Sequence, residues 1–158
     1  MKSKNEGFTR KKVAERTGLT ERQVLFFTER GVVTPEIDAG EGRGKTRVYS
    51  EKNLVMFMII RSLAELGITI SRIAPVVRFF DRLDVWKQYQ KFQPLGENEN
   101  LYVLIHKDTD GNLTGFWRLT AHAQGLQHSI LNVKDLADKD ECIVINFSRI
   151  AAQAKNVP

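Results

Sequence analysis

The cations Arg10, Lys11, Lys12, Arg16 and Arg22, followed by Arg43, Lys45 and Arg47, are the side chains of this chain best placed to do chemistry. That chemistry is the neutralisation of phosphate, which needs several Lys and Arg on one face rather than any single catalytic group. Their distribution is uneven along the chain. Residues 1–95 hold 18 Lys and Arg against 11 Asp and Glu, and residues 96–158 hold 6 against 8, within a formal net charge of +5. A polyanion is therefore expected to meet only the front of the chain.

Other chemistries find less support. Cys142, with His106, His122 and His128, makes a metal site only if folding gathers them, because no pair has chelating spacing, so neither metal nor cofactor is expected. Asp108, Asp110 and Asn112 imitate the start of a calcium loop, but the glycine comes early and Leu119 stands where a carboxylate belongs, so the stretch reads as a turn. A phosphate-cradling glycine loop, a nucleophile elbow and a zinc-binding helix motif are all missing, and an enzyme is not expected. The single cysteine allows no internal disulfide, no N-terminal apolar run resembles a signal peptide, and the longest apolar run, residues 54–60, is too short to span a bilayer. A cytoplasmic protein away from membranes is the expectation.

Two helices joined by a sharp turn must position the front cations. Gly18 supplies the left-handed residue of that turn. Thr20 and Gln23 form a capping box at the start of the second helix, with Leu19 and Val24 as its hydrophobic staple. Val13, Ala14 and Thr17 face inward on the first helix, as do Val24 and Phe27 on the second, which leaves Arg22, Leu25, Phe26 and Glu29 on the open face. This reads as a helix-turn-helix that enters DNA, or as a helical hairpin with solvated lysines. Residues 32–37 and 46–49 read as strands of a hairpin wing whose glycine-rich tip, with Gly40, Gly42 and Gly44, carries Arg43, Lys45 and Arg47 toward a phosphate backbone or a minor groove.

Ser50 is a helix N-cap, Glu51 favours the helix dipole and Gly67 stops that helix after Leu66. A further helical pattern begins at Thr69 or Ser71, with Pro75 in its first turns or at a kink. Within it Val76, Phe79, Leu83, Trp86 and Gln90 follow the spacing of a helix that pairs with another helix; an intramolecular core contact competes with that reading. Residues 94–100 mark a boundary, beyond which residues 101–107, 113–120 and 142–147 read as strands and Ser148 as the cap of a short last helix. Residues 121–141 stay ambiguous. The aromatics Phe79, Phe80, Trp86, Tyr89, Phe92, Phe116 and Trp117 either line an apolar pocket or form core.

Three blocks, VAERTGLTERQVLFFTERGVVTP, RVYSEKNL and IIRSLAELGITISRI, resemble in order and spacing the MerR family of winged helix-turn-helix transcription regulators, over about residues 8–80. The resemblance implies a homodimer on a palindromic promoter site that it bends and untwists in response to an effector. It places Arg22 and Phe26 in the recognition helix, Arg47 and Tyr49 in the wing, and the dimer interface near Val76, Phe79, Leu83 and Trp86. The chain departs from the family where Leu25-Phe26-Phe27-Thr28 replaces the usual Arg-Tyr-Tyr-Glu, losing a cation and a phenol hydroxyl. The expected fold is a mainly α winged helix-turn-helix with a small β-hairpin wing over residues 1–75, a linking or dimerisation helix over 76–95, and a small α+β domain over 96–158. The expected partners are double-stranded DNA and a second copy, with a small apolar effector and RNA polymerase as candidates. A DNA-bending, excisionase-like architectural protein and a protein-interaction adaptor are the alternatives.

Overall fold

The computed structural model describes residues 7–40, 46–93, 100–119, 134–137, 139 and 141–156. The wing tip with Gly42, Arg43, Gly44 and Lys45, the stretch 94–99, and most of 121–141 with His122 and His128 lie outside the described residues. The elements run β1 (Phe8–Thr9), α1 (Arg10–Thr17), α2 (Glu21–Glu29), β2 (Val48–Tyr49), α3 (Glu51–Glu65), α4 (Ile70–Arg82) and α5 (Val85–Lys91). They continue with β3 (Leu101–Lys107), β4 (Leu113–Leu119), α6 (Lys134–Ala137), β5 (Cys142–Asn146) and α7 (Phe147–Asn156). Two compact units result: Met1–Arg78 together with Ala152–Pro158, and Phe79–Ala151. Residues 79–93, expected in a separate linking helix, thus fall in the second unit.

In the first unit α3 is the scaffold, burying Leu54, Val55, Met56, Phe57, Ile59, Ile60 and Leu63. So many apolar side chains point in so many directions that the helix can be stable only inside a core. Ser50 caps it as expected, accepting from Asn53 N while Asn53 Oδ1 accepts from Ser50 N. At the other end Gly67 takes φ +78° and Ile68 N donates to Leu63 O at 3.1 Å, closing a Schellman motif.

The wing departs from expectation. Val32 and Val33 are not strand residues: with Gly31 at φ +61°, Val32 N donates to Phe27 O and both valines are buried just past the end of α2. β2 pairs with β1, Phe8 opposite Tyr49 and Thr9 opposite Val48, while Ile37 and Asp38 hydrogen-bond Val48 as a minimal hairpin arm. A two-residue strand leaves no periodic signal in sequence.

The second unit holds a three-stranded antiparallel sheet in the order β4-β3-β5. Asp108 closes the β3–β4 turn by accepting from Asp110 N and Asn112 N, with Gly111 at φ +81°. The expected continuous helix through residues 71–92 is broken. Asp84 adopts φ +50°, a conformation short polar residues tolerate, and α5 restarts with Val85 and Tyr89 buried, one residue out of phase with the anticipated stripe. Tyr89 meets Phe147, whose ring stacks on Phe80 at 5.7 Å, while Trp86 meets both Tyr89 and Phe147. Of the seven aromatics, Phe79, Phe80 and Tyr89 are core, whereas Trp86, Phe92, Phe116 and Trp117 are half-buried. Ser148 is not the cap of α7: its Oγ accepts from Leu101 N at 2.8 Å, and Asn146 Oδ1 accepts from Arg149 N instead.

Gly115 shows how closely this sheet is covered. A Cβ there would lie 2.1 Å from the Leu104 carbonyl oxygen and 3.0 Å from the Phe79 ring. Backbone cannot yield as a flexible side chain does, so Gly115→Ala is expected to lower stability by roughly 1–3 kcal/mol. Urea unfolding measures this, and a variant as stable as the parent would contradict the packing described.

Candidate nucleic-acid interface

The turn between α1 and α2 is built from three residues and one distant arginine. Thr17 is fully buried, donating from Oγ1 to Val13 O at 2.8 Å and accepting from Leu19 N. Gly18 takes φ +72°. From α3, Arg61 donates through Nη1 to Thr17 O at 2.8 Å, and that nitrogen lies 2.4 Å from where a Gly18 Cβ would stand. Any side chain at residue 18 would displace the arginine as well as strain the backbone. α2 then starts on the expected capping box, Gln23 N donating to Thr20 Oγ1 and Thr20 N to Gln23 Oε1 at 2.8 Å. Its far end is held where Arg78 donates to Arg30 O at 3.3 Å.

At about 3.6 residues per turn, burial of Val24 and Phe27 fixes the rotation of α2. Arg22 and Glu29 then point straight outward, flanked by Leu25 on one side and Phe26 on the other. Arg22 and Glu29 are exposed and neither makes an ion pair among the described residues; Leu25 and Phe26 are half-buried. Phe26 meets Phe27 edge-on at 5.4 Å and carries the Arg30 guanidinium 5.0 Å over its ring.

A groove of about 450 Å³ opens beside this face, lined by Thr9, Arg10 and Lys11 of β1 and α1, Glu21 and Leu25 of α2, and Gly40, Thr46, Arg47 and Tyr49 of the wing. Three segments distant in sequence thus bring Arg10, Lys11 and Arg47 together. Arg10 Nε pairs with Glu21 Oε2 at 2.9 Å and Lys11 approaches Glu15 at 4.0 Å, both on exposed surface. Lys12 is exposed. Arg16 turns aside, its guanidinium 4.9 Å over the Phe8 ring and Nη1 3.5 Å from Ala154 O. Tyr49 contributes little outer surface: it is fully buried, its hydroxyl 3.0 Å from Thr28 Oγ1 and its ring edge-on to Phe57.

A polar brace that sequence reading did not identify anchors the root of the wing. Asn53, 3% exposed, accepts from Glu36 N and donates to Thr34 O besides its capping bonds. Glu36 accepts from Ser50 Oγ at 2.5 Å and from Lys52 Nζ at 2.8 Å. Asn53 at the third position of the α3 capping box was the only local hint. Of the expected pairing residues, Val76 and Phe79 are buried within one chain, whereas Leu83 and Trp86 keep some surface. Folding also sets His106 directly opposite Cys142. Among the described residues, however, no group of three or more His, Cys, Asp or Glu is placed to hold a metal.

The helix-turn-helix, a short wing and a cationic groove thus share one face. The segment of residues 8–79 matches the model of the MerR HTH family regulatory proteins. It is 30% identical over 69 residues to the HTH-type transcriptional regulator CueR of Salmonella typhi, covering 44% of this chain and 48% of that protein. It is 32% identical over 60 residues to an uncharacterized HTH-type transcriptional regulator of Mycobacterium bovis, covering 38% and 27%. The chain thus spans about half the length of the CueR relative it matches. Among the described residues, no helix is long and apolar enough to cross a membrane.

Glu36 makes the brace sensitive to acid. Burial raises its carboxyl pKa, but hydrogen bonds from Lys52 and Ser50 and the Lys52 charge together outweigh that and hold it below the usual carboxylate value. The stabilisation is therefore complete above the unfolded-state pKa and fades as pH falls through the lower folded-state pKa. Denaturant titrations across that window should show the parent losing stability more steeply than Glu36→Gln. Parallel curves would remove Glu36 from the brace.

Proposed function

We propose that this chain is a cytoplasmic, sequence-specific DNA-binding transcriptional regulator that acts as a homodimer on a palindromic promoter site and distorts it. One observation carries the reading: β1–α1, α2 and the wing converge on a single groove edged by Arg10, Lys11 and Arg47, beside an outward Arg22. Arg22 suits a guanine edge in the major groove, and the groove cations suit flanking phosphates. Of the four residues expected to pair, Leu83 and Trp86 retain surface for a second copy. The unit Phe79–Ala151 is the part we assign to effector sensing or to completing the dimer, and RNA polymerase at the promoter is the partner such regulation would address. The wing cations Arg43 and Lys45 join the phosphate contacts in this reading.

Duplexes selected from random sequence provide the test. Arg47→Ala should weaken all of them alike and lower the slope of log affinity against log salt by about 1, whereas Arg22→Ala should cost about 1–3 kcal/mol and relax the preferred sequence. Two variants that bind like the parent would show that DNA lies elsewhere or is not bound.

A further inference from the structure

Leu25 is an apolar side chain in a groove whose other lining residues are mostly polar. It lies half-buried on the outward flank of α2 and lines the groove together with Arg10, Lys11, Glu21, Thr46 and Arg47. The core does not claim it, since α2 buries only Val24 and Phe27. Its counterpart across the helix, Phe26, is already occupied by Phe27 and Arg30. Phe26 is equally half-buried, but of the two only Leu25 lines the groove.

We propose that Leu25 reads the C5-methyl group of a pyrimidine in the major groove. The inference rests on α2 being the helix that enters DNA. Base edges in that groove are donors and acceptors, and the methyl on C5 is the apolar feature they present. A leucine gains nothing from phosphate, and the cations around it meet that need. Glu21, which would repel DNA, is held against Arg10 at 2.9 Å, so its charge is offset beside the leucine. Leu25 therefore contributes discrimination between bases more than overall affinity. Thymine and 5-methylcytosine both carry the group.

The test uses the full chain and a duplex selected from random sequence. Thymidines are replaced one at a time by deoxyuridine, and in separate duplexes cytosines by 5-methyldeoxycytidine. Removing one buried methyl should weaken the parent about fourfold at one position in each half-site. Leu25→Ala should bind the deoxyuridine and thymidine duplexes equally, and Leu25→Met, which keeps apolar reach, should retain the preference. A matching gain on cytosine methylation, also lost in Leu25→Ala, would name 5-methylcytosine as the source of the methyl. Loss on deoxyuridine names thymine. A methyl preference that survives Leu25→Ala, or tight binding without any, overturns the proposal and leaves DNA binding intact. Failure to retain any duplex overturns both.

Discussion

The Arg61 guanidinium occupies the space that a side chain at residue 18 would need, and the angle between α1 and α2 depends on that contact. Its bond to Thr17 O satisfies a carbonyl at the end of α1, and its Nε–Glu65 pair at 2.7 Å steadies it from α3. A non-glycine residue in the left-handed conformation of Gly18 costs about 1–2 kcal/mol before any displacement of the arginine is counted. The scaffold helix therefore sets α2 through a glycine, and everything on the outward face of α2 inherits its direction from there.

The ion pairs on that face are exposed and weak. Arg10 and Lys11 are paired with acids at the surface, where such pairs are worth about 0–1 kcal/mol. In the proposed complex, exchanging Glu15 for a phosphate at Lys11 would cost the fold little, and each neutralised phosphate would release counterions. Arg16 is different: with one side over Phe8 and the other near Ala154 O, it does structural service in the same unit. Membership of a cationic cluster in sequence is thus no measure of availability. Lys155, 3.9 Å from Glu51, makes a second tie between the last turns of α7 and the N-terminal unit's scaffold.

The second unit follows another logic, that of aromatic packing on a small sheet. Tyr89, Trp86 and Phe80 gather around Phe147, and Gly115 leaves room for Phe79 close to β3. The positive φ of Asp84 makes this arrangement reachable, because it rotates α5 and turns Val85 and Tyr89 inward. A straight helix would have presented the Val76, Phe79, Leu83 and Trp86 stripe to one side.

Local chemistry was enough to read α1, the turn, α2 and α3 from sequence. Caps, left-handed glycines and apolar spacing act within a few residues, so Thr20 with Gln23, Ser50, Gly18 and Gly67 each announced their roles. The three strands of the second unit were visible for the same reason. Tertiary structure alone decided what depends on partners far along the chain: the pairing of β1 with β2, Arg61 on the turn, the Asn53 and Glu36 brace, burial of Tyr49, and the gathering of Arg10, Lys11, Leu25 and Arg47 around one groove. Residue spacing encodes which face a side chain takes on its own element. What that face meets is settled only when segments tens of residues apart exclude water together.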